Sequence, residues 1–135
     1  MSFKIGTGEI KFSELILETQ QNLFIVQAEV AGSTLSITQD KITRVENIVD
    51  EIEKVLPPIK NFFLSGATEL SAIFDFARTL SRQAERRVVA AKEEEKINIS
   101  AETLSYLNRL ASLLYALARI SSHLEGAEEI KPEYK

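Results

Sequence analysis

The sequence predicts an all-α fold, an antiparallel up-and-down bundle of four or five long helices. Apolar residues recur at steps of three and four along four long segments, as expected for helices that bury one side. Only five glycines and three prolines occur in 135 residues, and 44% of the residues are hydrophobic. A chain of this length can bury one substantial core, so residues 1–135 are expected to form a single helical-bundle domain.

The first two helices are each expected to follow a polar residue that can cap their N-terminus. The first runs from about Ser13 to Ala31, and the loop that follows it leads to Thr38. Thr38 is expected to cap the second helix, which carries a clean apolar stripe. Pro57 and Pro58 end that helix, because a proline ring disfavours helical backbone in the residue before it. Residues 1–12 show no clear periodicity and are expected to form a loose or partly extended arm.

The third and fourth helices are predicted after Thr68 and Ser100, which are again polar capping residues. The third extends to about Glu94 and the fourth to about Leu124. The fourth helix is apolar on two sides, which is typical of a helix at the centre of a bundle or against a neighbouring subunit. No strand is predicted anywhere in the chain, and residues 127–135 are expected to form a tail.

Composition excludes several classes of function. The net charge is −4 and the sequence pI is about 5.1, so no basic field for nucleic acid exists. The chain has no cysteine and a single histidine, which excludes a disulfide framework, a thiolate nucleophile and a histidine-rich metal site. No apolar run approaches the length of a membrane span, and no signal core is seen. A cytoplasmic location without membrane partners is therefore expected.

The segment 76–88, FARTLSRQAERRV, holds the most unusual charge pattern of the chain. Arg78, Arg82 and Glu85 fall within roughly 60° of one helical face at about 100° per residue. Two guanidiniums one turn apart suit a polyphosphate or another multivalent anion. A solvated face with internal ion pairs has the same spacing, so both interpretations stay open. A separate apolar stripe is expected to dock this helix on the bundle: Ile73, Ala77, Leu80, Ala84 and Val88.

Four ordered stretches resemble the ATP:corrinoid adenosyltransferases of the propanediol-utilisation type. The signature helix of that family reads approximately A-R-x-x-x-R-R-A-E-R, and residues 77–86 read ARTLSRQAER. Residues 20–31 (QQNLFIVQAEVA), 62–68 (FFLSGAT) and 106–119 (YLNRLASLLYALAR) resemble three further family motifs in the right order. The resemblance implies a ferritin-like bundle, and it covers most of the chain from about residue 16 onward.

The sequence also departs from the family pattern. Gln83 replaces an arginine of the signature, and Ser112 replaces an aspartate of the last helix. Ser65 and Ala67 replace a proline and a glycine of the family's loop. The nucleotide loop at the start of the family is matched only by Thr7-Gly8-Glu9. The first family helix is not visible, which predicts either a truncated member or a segment missing between the arm and residue 13.

The resemblance implies transfer of the 5′-deoxyadenosyl group of ATP to the cobalt of a reduced corrinoid, with release of triphosphate. Arg78 and Arg82 would then face the phosphates, and Glu85 would order the arginines and the nucleotide. Asn108 would bind the nucleoside, and Thr7 with Gly8 would belong to the ATP loop. Mg²⁺ would accompany ATP, with no dedicated protein metal site. The cobalt nucleophile belongs to the substrate, which suits a chain without cysteine.

On the corrinoid side, the resemblance places Phe62 against the lower face of the corrin ring and Ser112 beside it. It also implies a homotrimer with sites between subunits, in which Arg78 pairs with an acid of the neighbouring first helix. Two alternatives remain: a non-catalytic homologue that binds corrinoid or nucleotide, and a helical oligomerisation scaffold whose arginines only form ion pairs.

Overall fold

The computed structural model describes residues 1–5, 8–57 and 68–126 of the chain. Within these ranges two short strands precede four long helices, which confirms the predicted helical bundle with the lower of the two helix numbers. The elements are β1 (Ser2–Ile5), β2 (Gly8–Lys11), α1 (Phe12–Val30), α2 (Gln39–Val55), α3 (Glu69–Glu93) and α4 (Ala101–Leu124).

The two strands form a β-hairpin, so the arm is extended rather than loose, and the prediction of no strand was wrong. They pair antiparallel, with Phe3 opposite Ile10, and both side chains are buried. The Phe3 ring meets the Phe12 ring edge to face at a centroid distance of 5.7 Å, and Phe12 meets Phe74 in the same way at 5.7 Å. This aromatic contact stabilises the hairpin on the helices, because a two-stranded hairpin alone is marginal in water.

Helix α1 begins one residue before the predicted cap, so Ser13 does not cap it. Lys11 occupies the N-cap position and makes no side-chain capping hydrogen bond. The chain passes directly from β2 into the helix, and the Phe12 N–H donates to the Met1 carbonyl at 2.9 Å. The hairpin backbone thus satisfies one of the four N–H groups that lack a partner within the helix.

The predicted caps of α3 and α4 are confirmed. The Thr68 hydroxyl accepts a hydrogen bond from the Ser71 N–H at 3.1 Å, and the Ser100 hydroxyl accepts one from the Thr103 N–H at 3.1 Å. Thr38 lies at the N-cap of α2 as predicted, but its side chain makes no capping bond. Thr68 and Ser100 set where α3 and α4 begin, since each hydroxyl replaces a backbone partner that the first turn lacks.

Helix α4 lies at the centre of the bundle, where it packs mainly against α3 and α2. Its buried apolar side chains cover most of its circumference, as its two-sided apolar pattern predicts. Tyr106 and Ile120 are fully buried, and Ile52 of α2 is equally buried against the same core.

Helix α3 docks through a different side from the one predicted. Ile73 and Leu80 are 55% and 50% exposed, whereas Phe74 is only 5% exposed. Phe74 lies about 100° around the helix from Ile73, so the docking side is rotated away from the predicted stripe. Ser71 is also buried on the docking side. Of the predicted stripe, Val88 packs against the core, whereas Ile73 and Leu80 face outward.

A buried carboxylate joins the end of α1 to the start of α4. Glu29 is 6% exposed, and its Oε2 accepts the Ser100 N–H at 2.6 Å. Its Oε1 accepts the Thr103 hydroxyl at 2.8 Å, and that hydroxyl oxygen accepts the Ile37 N–H at 3.3 Å. A negative charge at a helix N-terminus is favourable, because the N–H groups there are unpaired and the helix dipole is positive.

We expect Glu29→Ala to lower the free energy of unfolding by about 2–3 kcal/mol, because it leaves buried donors of Ser100 and Thr103 without a partner. Urea denaturation followed by circular dichroism measures the change. Glu53→Ala, an exposed change on α2, serves as the matched control. Equal stability of the two variants would contradict the role given to Glu29.

Candidate functional site

A concavity between α3 and α4 gathers the charged and polar residues that the sequence singles out. Its volume is about 220 Å³. Helix α3 contributes three side chains at i, i+4 and i+7, and α4 contributes four. The lining consists of Arg78, Arg82, Glu85, Asn108, Ala111, Ser112 and Tyr115. Five predicted site residues therefore share one surface, although they come from segments more than twenty residues apart.

Two contacts orient Arg78 at this surface. Its Nε donates to the Asp75 Oδ1 at 3.0 Å, one helical turn away. Its guanidinium carbon lies 5.8 Å from the centroid of the Tyr115 ring, within the range of a cation–π contact. Both partners leave guanidinium N–H groups available to a ligand, since Asp75 engages only Nε. Arg78 is therefore a positioned cation on a half-buried side chain.

Arg82 is exposed and lies one turn further along α3. Within the described ranges it makes no hydrogen bond or salt bridge. Its charge is therefore not neutralised by a neighbouring carboxylate at contact distance. The interpretation of this face as arginines engaged in internal ion pairs fits Arg78 in part, but it does not fit Arg82.

Glu85 and Asn108 connect the two helices across the concavity. The Asn108 Nδ2 donates to the Glu85 Oε2 at 3.2 Å, and the Asn108 Oδ1 accepts from the Arg109 Nη1 at 3.0 Å. Arg109 in turn donates from Nε to the Glu46 Oε1 of α2 at 3.3 Å. This polar chain sets the orientation of the Asn108 amide, because each end of the amide has its own partner.

Asp75, Tyr115 and Arg109 are the residues of this arrangement that sequence reasoning missed. The pair of Asp75 with Arg78 was visible as an i,i+3 spacing of opposite charges. Tyr115 gave no such signal, since its position beside Arg78 depends on how α4 packs on α3. The contact of Arg109 with Glu46 likewise joins residues 63 positions apart in the sequence.

Comparison with known proteins identifies the family of the chain. The sequence profile of the cobalamin adenosyltransferases matches residues 4–121. The chain belongs to this family. A corrinoid adenosyltransferase of Mycobacterium leprae is 32% identical over 133 residues, which cover 90% of this chain and 70% of that protein.

Two further relatives support the same placement. A PduO corrinoid adenosyltransferase of Citrobacter freundii is 35% identical over 117 residues, which cover 82% of this chain and 34% of that protein. A variant of the PduO-type ATP:corrinoid adenosyltransferase from Lactobacillus reuteri, solved with cobalamin and ATP, superposes with a TM-score of 0.84. The identity is 26%, and the match covers 96% of this chain and 75% of that one. The chain thus spans about a third of the Citrobacter relative.

Not every predicted site residue of this family member lies at the concavity. Thr7 and Phe62 fall outside the described residues. Gly8 is described as the first residue of β2 and is not among the residues that line the concavity.

Residues 1–5, 8–57 and 68–126 contain neither a candidate metal site nor a candidate membrane span. Within them, no group of three or more histidine, cysteine, aspartate or glutamate residues could hold a metal ion. No helix among the described residues is long and apolar enough to cross a membrane. The concavity presents two arginines, one carboxylate, one amide, the Ser112 hydroxyl and the Tyr115 ring.

Proposed function

We propose that this chain transfers the 5′-deoxyadenosyl group of ATP to the cobalt of a reduced corrinoid. The products are the adenosylated corrinoid and triphosphate. The observation that carries the proposal is the shared concavity of Arg78, Arg82, Glu85 and Asn108 in a member of the cobalamin adenosyltransferase family. The relative from Lactobacillus reuteri was solved with both cobalamin and ATP, which supports the same two substrates here.

The reaction forms a bond between cobalt and C5′ and breaks the bond between C5′ and the phosphate oxygen. The electron pair comes from the reduced corrinoid, and the leaving oxygen keeps the pair of the broken bond. The protein then needs no nucleophile of its own, and its task is to align the substrates and stabilise the leaving triphosphate. Arg82 supplies an unneutralised charge for this task, and Arg78 supplies a charge held in place by Asp75 and Tyr115.

Asn108 is proposed to bind the nucleoside. One N–H of its amide bonds to Glu85, so the second N–H of the same nitrogen remains available to an acceptor on the ligand. Glu85 keeps the amide in that orientation and partly balances the two arginines. Glu85 is therefore a positioning residue for Asn108 as well as a member of the charged surface.

The remaining assignments rest on the family resemblance. Phe62 and Ser112 are proposed for the corrinoid side, and Thr7 with Gly8 for the ATP loop. Mg²⁺ is proposed to arrive with ATP and to be held mostly by phosphate oxygens and water. The cytoplasmic location stays a prediction.

We also propose that the functional unit is a homotrimer whose sites lie between subunits. Arg82 is exposed at the concavity, so one subunit alone leaves this charge open to solvent. Three large apolar side chains are exposed on the other side of the same helix: Ile73 at 55%, Phe76 at 65% and Leu80 at 50%. An exposed apolar stripe of this kind is typical of a surface that another subunit covers.

An assay with ATP, Mg²⁺ and chemically reduced cobalamin tests the proposed reaction. Formation of light-sensitive adenosylcobalamin supports it. Saturable binding of ATP or cobalamin without turnover would instead favour a non-catalytic homologue. Ser112 is the reason to consider this alternative, because it replaces an aspartate of the family. Binding of neither ligand would favour the third alternative, in which the domain is a helical oligomerisation scaffold.

Arg82→Ala is expected to reduce turnover by at least about a hundredfold, because it removes a charge that faces the leaving triphosphate. The thermal midpoint should stay within about 1 °C, since Arg82 is exposed and unpaired among the described residues. Arg87→Ala is the matched control on the same helix, outside the residues that line the concavity, and it should retain activity. Unchanged activity in Arg82→Ala would contradict the proposed role of Arg82 in stabilising the leaving triphosphate.

Phe62→Ala is expected to impair mainly the reaction that starts from Co(II) cobalamin. An apolar side chain beneath the corrin would exclude water and a lower ligand from the metal, which makes cobalt easier to reduce. Turnover is measured from pre-reduced Co(I) and from Co(II) with a reducing system. Equal losses from both starting states would remove the assignment of Phe62.

Leu80→Glu is expected to shift the protein from a trimer to a smaller species, because a charge at this stripe is costly to bury. Sedimentation velocity measures the change. Leu35→Glu is the control, since Leu35 is 49% exposed in a loop rather than on the α3 stripe. A trimer that persists in Leu80→Glu would place the subunit contact elsewhere, and a monomeric parent would overturn the trimer itself.

A further inference from the structure

A chain of polar side chains reaches from the concavity to α2, a helix that contributes no residue to its lining. Arg109 of α4 is the central member of this chain. Its Nε donates to the Glu46 Oε1 of α2 at 3.3 Å, and its Nη1 donates to the Asn108 Oδ1 at 3.0 Å. The Asn108 Nδ2 then donates to the Glu85 Oε2 of α3 at 3.2 Å. Glu46 is thus connected to the concavity without bordering it.

The contact between Arg109 and Asn108 does not follow from the helical repeat. Side chains of adjacent residues on a helix point about 100° apart, so neighbours in sequence do not face each other. Arg109 lies on the side of α4 toward α2, and Asn108 lies on the side toward α3. The guanidinium therefore reaches back across the surface of α4 while Glu46 holds its Nε. Glu46 is the partner from another helix that restrains the guanidinium in this position.

The two ends of the Asn108 amide meet groups of opposite charge. The amide oxygen accepts from a guanidinium, and the amide nitrogen donates to a carboxylate. Rotation of the amide by half a turn would place N–H groups against the Arg109 cation and the oxygen against the Glu85 carboxylate. Two attractive contacts would then become two repulsive ones, and hydrogen bonds to charged groups are the stronger kind. The amide is therefore held so that its second N–H is the group it offers to a ligand.

We propose that Glu46 and Arg109 are positioning residues for ATP, because they hold the Asn108 amide in its donating orientation. This role rests on the proposed function of Asn108 in binding the nucleoside. The nucleoside atom that faces Asn108 is then a hydrogen-bond acceptor, since the amide oxygen is already engaged. Neither Glu46 nor Arg109 lines the concavity, so both act through Asn108.

Positioning and long-range electrostatics predict opposite effects of removing Glu46. ATP is an anion, so the loss of a carboxylate would by charge alone leave its affinity unchanged or raise it. Loss of the restraint on Arg109 would instead lower the affinity, because the Asn108 amide could rotate away from its donating orientation. The direction of the change in ATP affinity therefore distinguishes the two effects.

Isothermal titration calorimetry with ATP and Mg²⁺, in the absence of corrinoid, tests the role of Glu46 without requiring turnover. Glu46→Ala is expected to weaken ATP binding about threefold, within the range of an exposed ion pair. Glu46→Gln keeps an acceptor oxygen for Arg109 and should bind ATP more tightly than Glu46→Ala. In an Asn108→Ala background, Glu46→Ala should have no further effect, because the group that it positions is absent.

Glu18→Ala is the matched control. Glu18 forms an exposed ion pair with Arg44 of α2 at 2.7 Å, and its removal changes the net charge by the same amount. Neither residue of that pair lines the concavity, so the affinity for ATP should not fall.

Two results would overturn the positioning role and leave the proposed adenosyl transfer intact. One is an affinity of Glu46→Ala for ATP that equals or exceeds that of the parent. The other is an equal loss from Glu46→Ala in the parent and in the Asn108→Ala background. A parent that binds no ATP would overturn both the positioning role and the proposed function.

Discussion

The hydrogen bonds of the Glu29 carboxylate hold the N-terminus of α4, and much of the molecule depends on where α4 lies. This helix carries the largest set of buried residues of the described chain and also one wall of the concavity. A second polar contact acts near its other end, where Arg119, 6% exposed, donates to the Pro57 carbonyl at 3.1 Å. Any shift of α4 would therefore move the core and the site together.

Helix α3 shows how a binding surface and a docking surface coexist on one element. Phe74 faces the core, the two arginines of the concavity lie at the edge toward α4, and the stripe of Ile73 and Leu80 faces outward. Three different surfaces divide one helix of 25 residues. The outward stripe lies more than about 100° around the helix from the arginines, and its exposed apolar side chains are the physical basis for expecting a second subunit on that side.

The hairpin and α1 form the other side of the bundle. Phe3, Phe12 and Phe74 meet edge to face and join the hairpin to the starts of α1 and α3. Further along α1, Leu15 and Val26 are buried in the core. Polar side chains add contacts to α2 and α4, because Glu18 pairs with Arg44 and Glu29 accepts from Thr103.

The sequence by itself determined the helical class, the starts of α3 and α4, and the common face of Arg78, Arg82 and Glu85. Those features depend on caps and on the helical repeat, which act over a few residues. Tertiary structure decided the rest. The hairpin forms because Phe3 and Ile10 pack against the helices of the bundle. Ser13 does not cap α1, because β2 leads directly into that helix. The packing of whole helices decides which stripe of α3 is buried and which α4 side chain contacts Arg78. Alternative apolar faces look alike along a single helix.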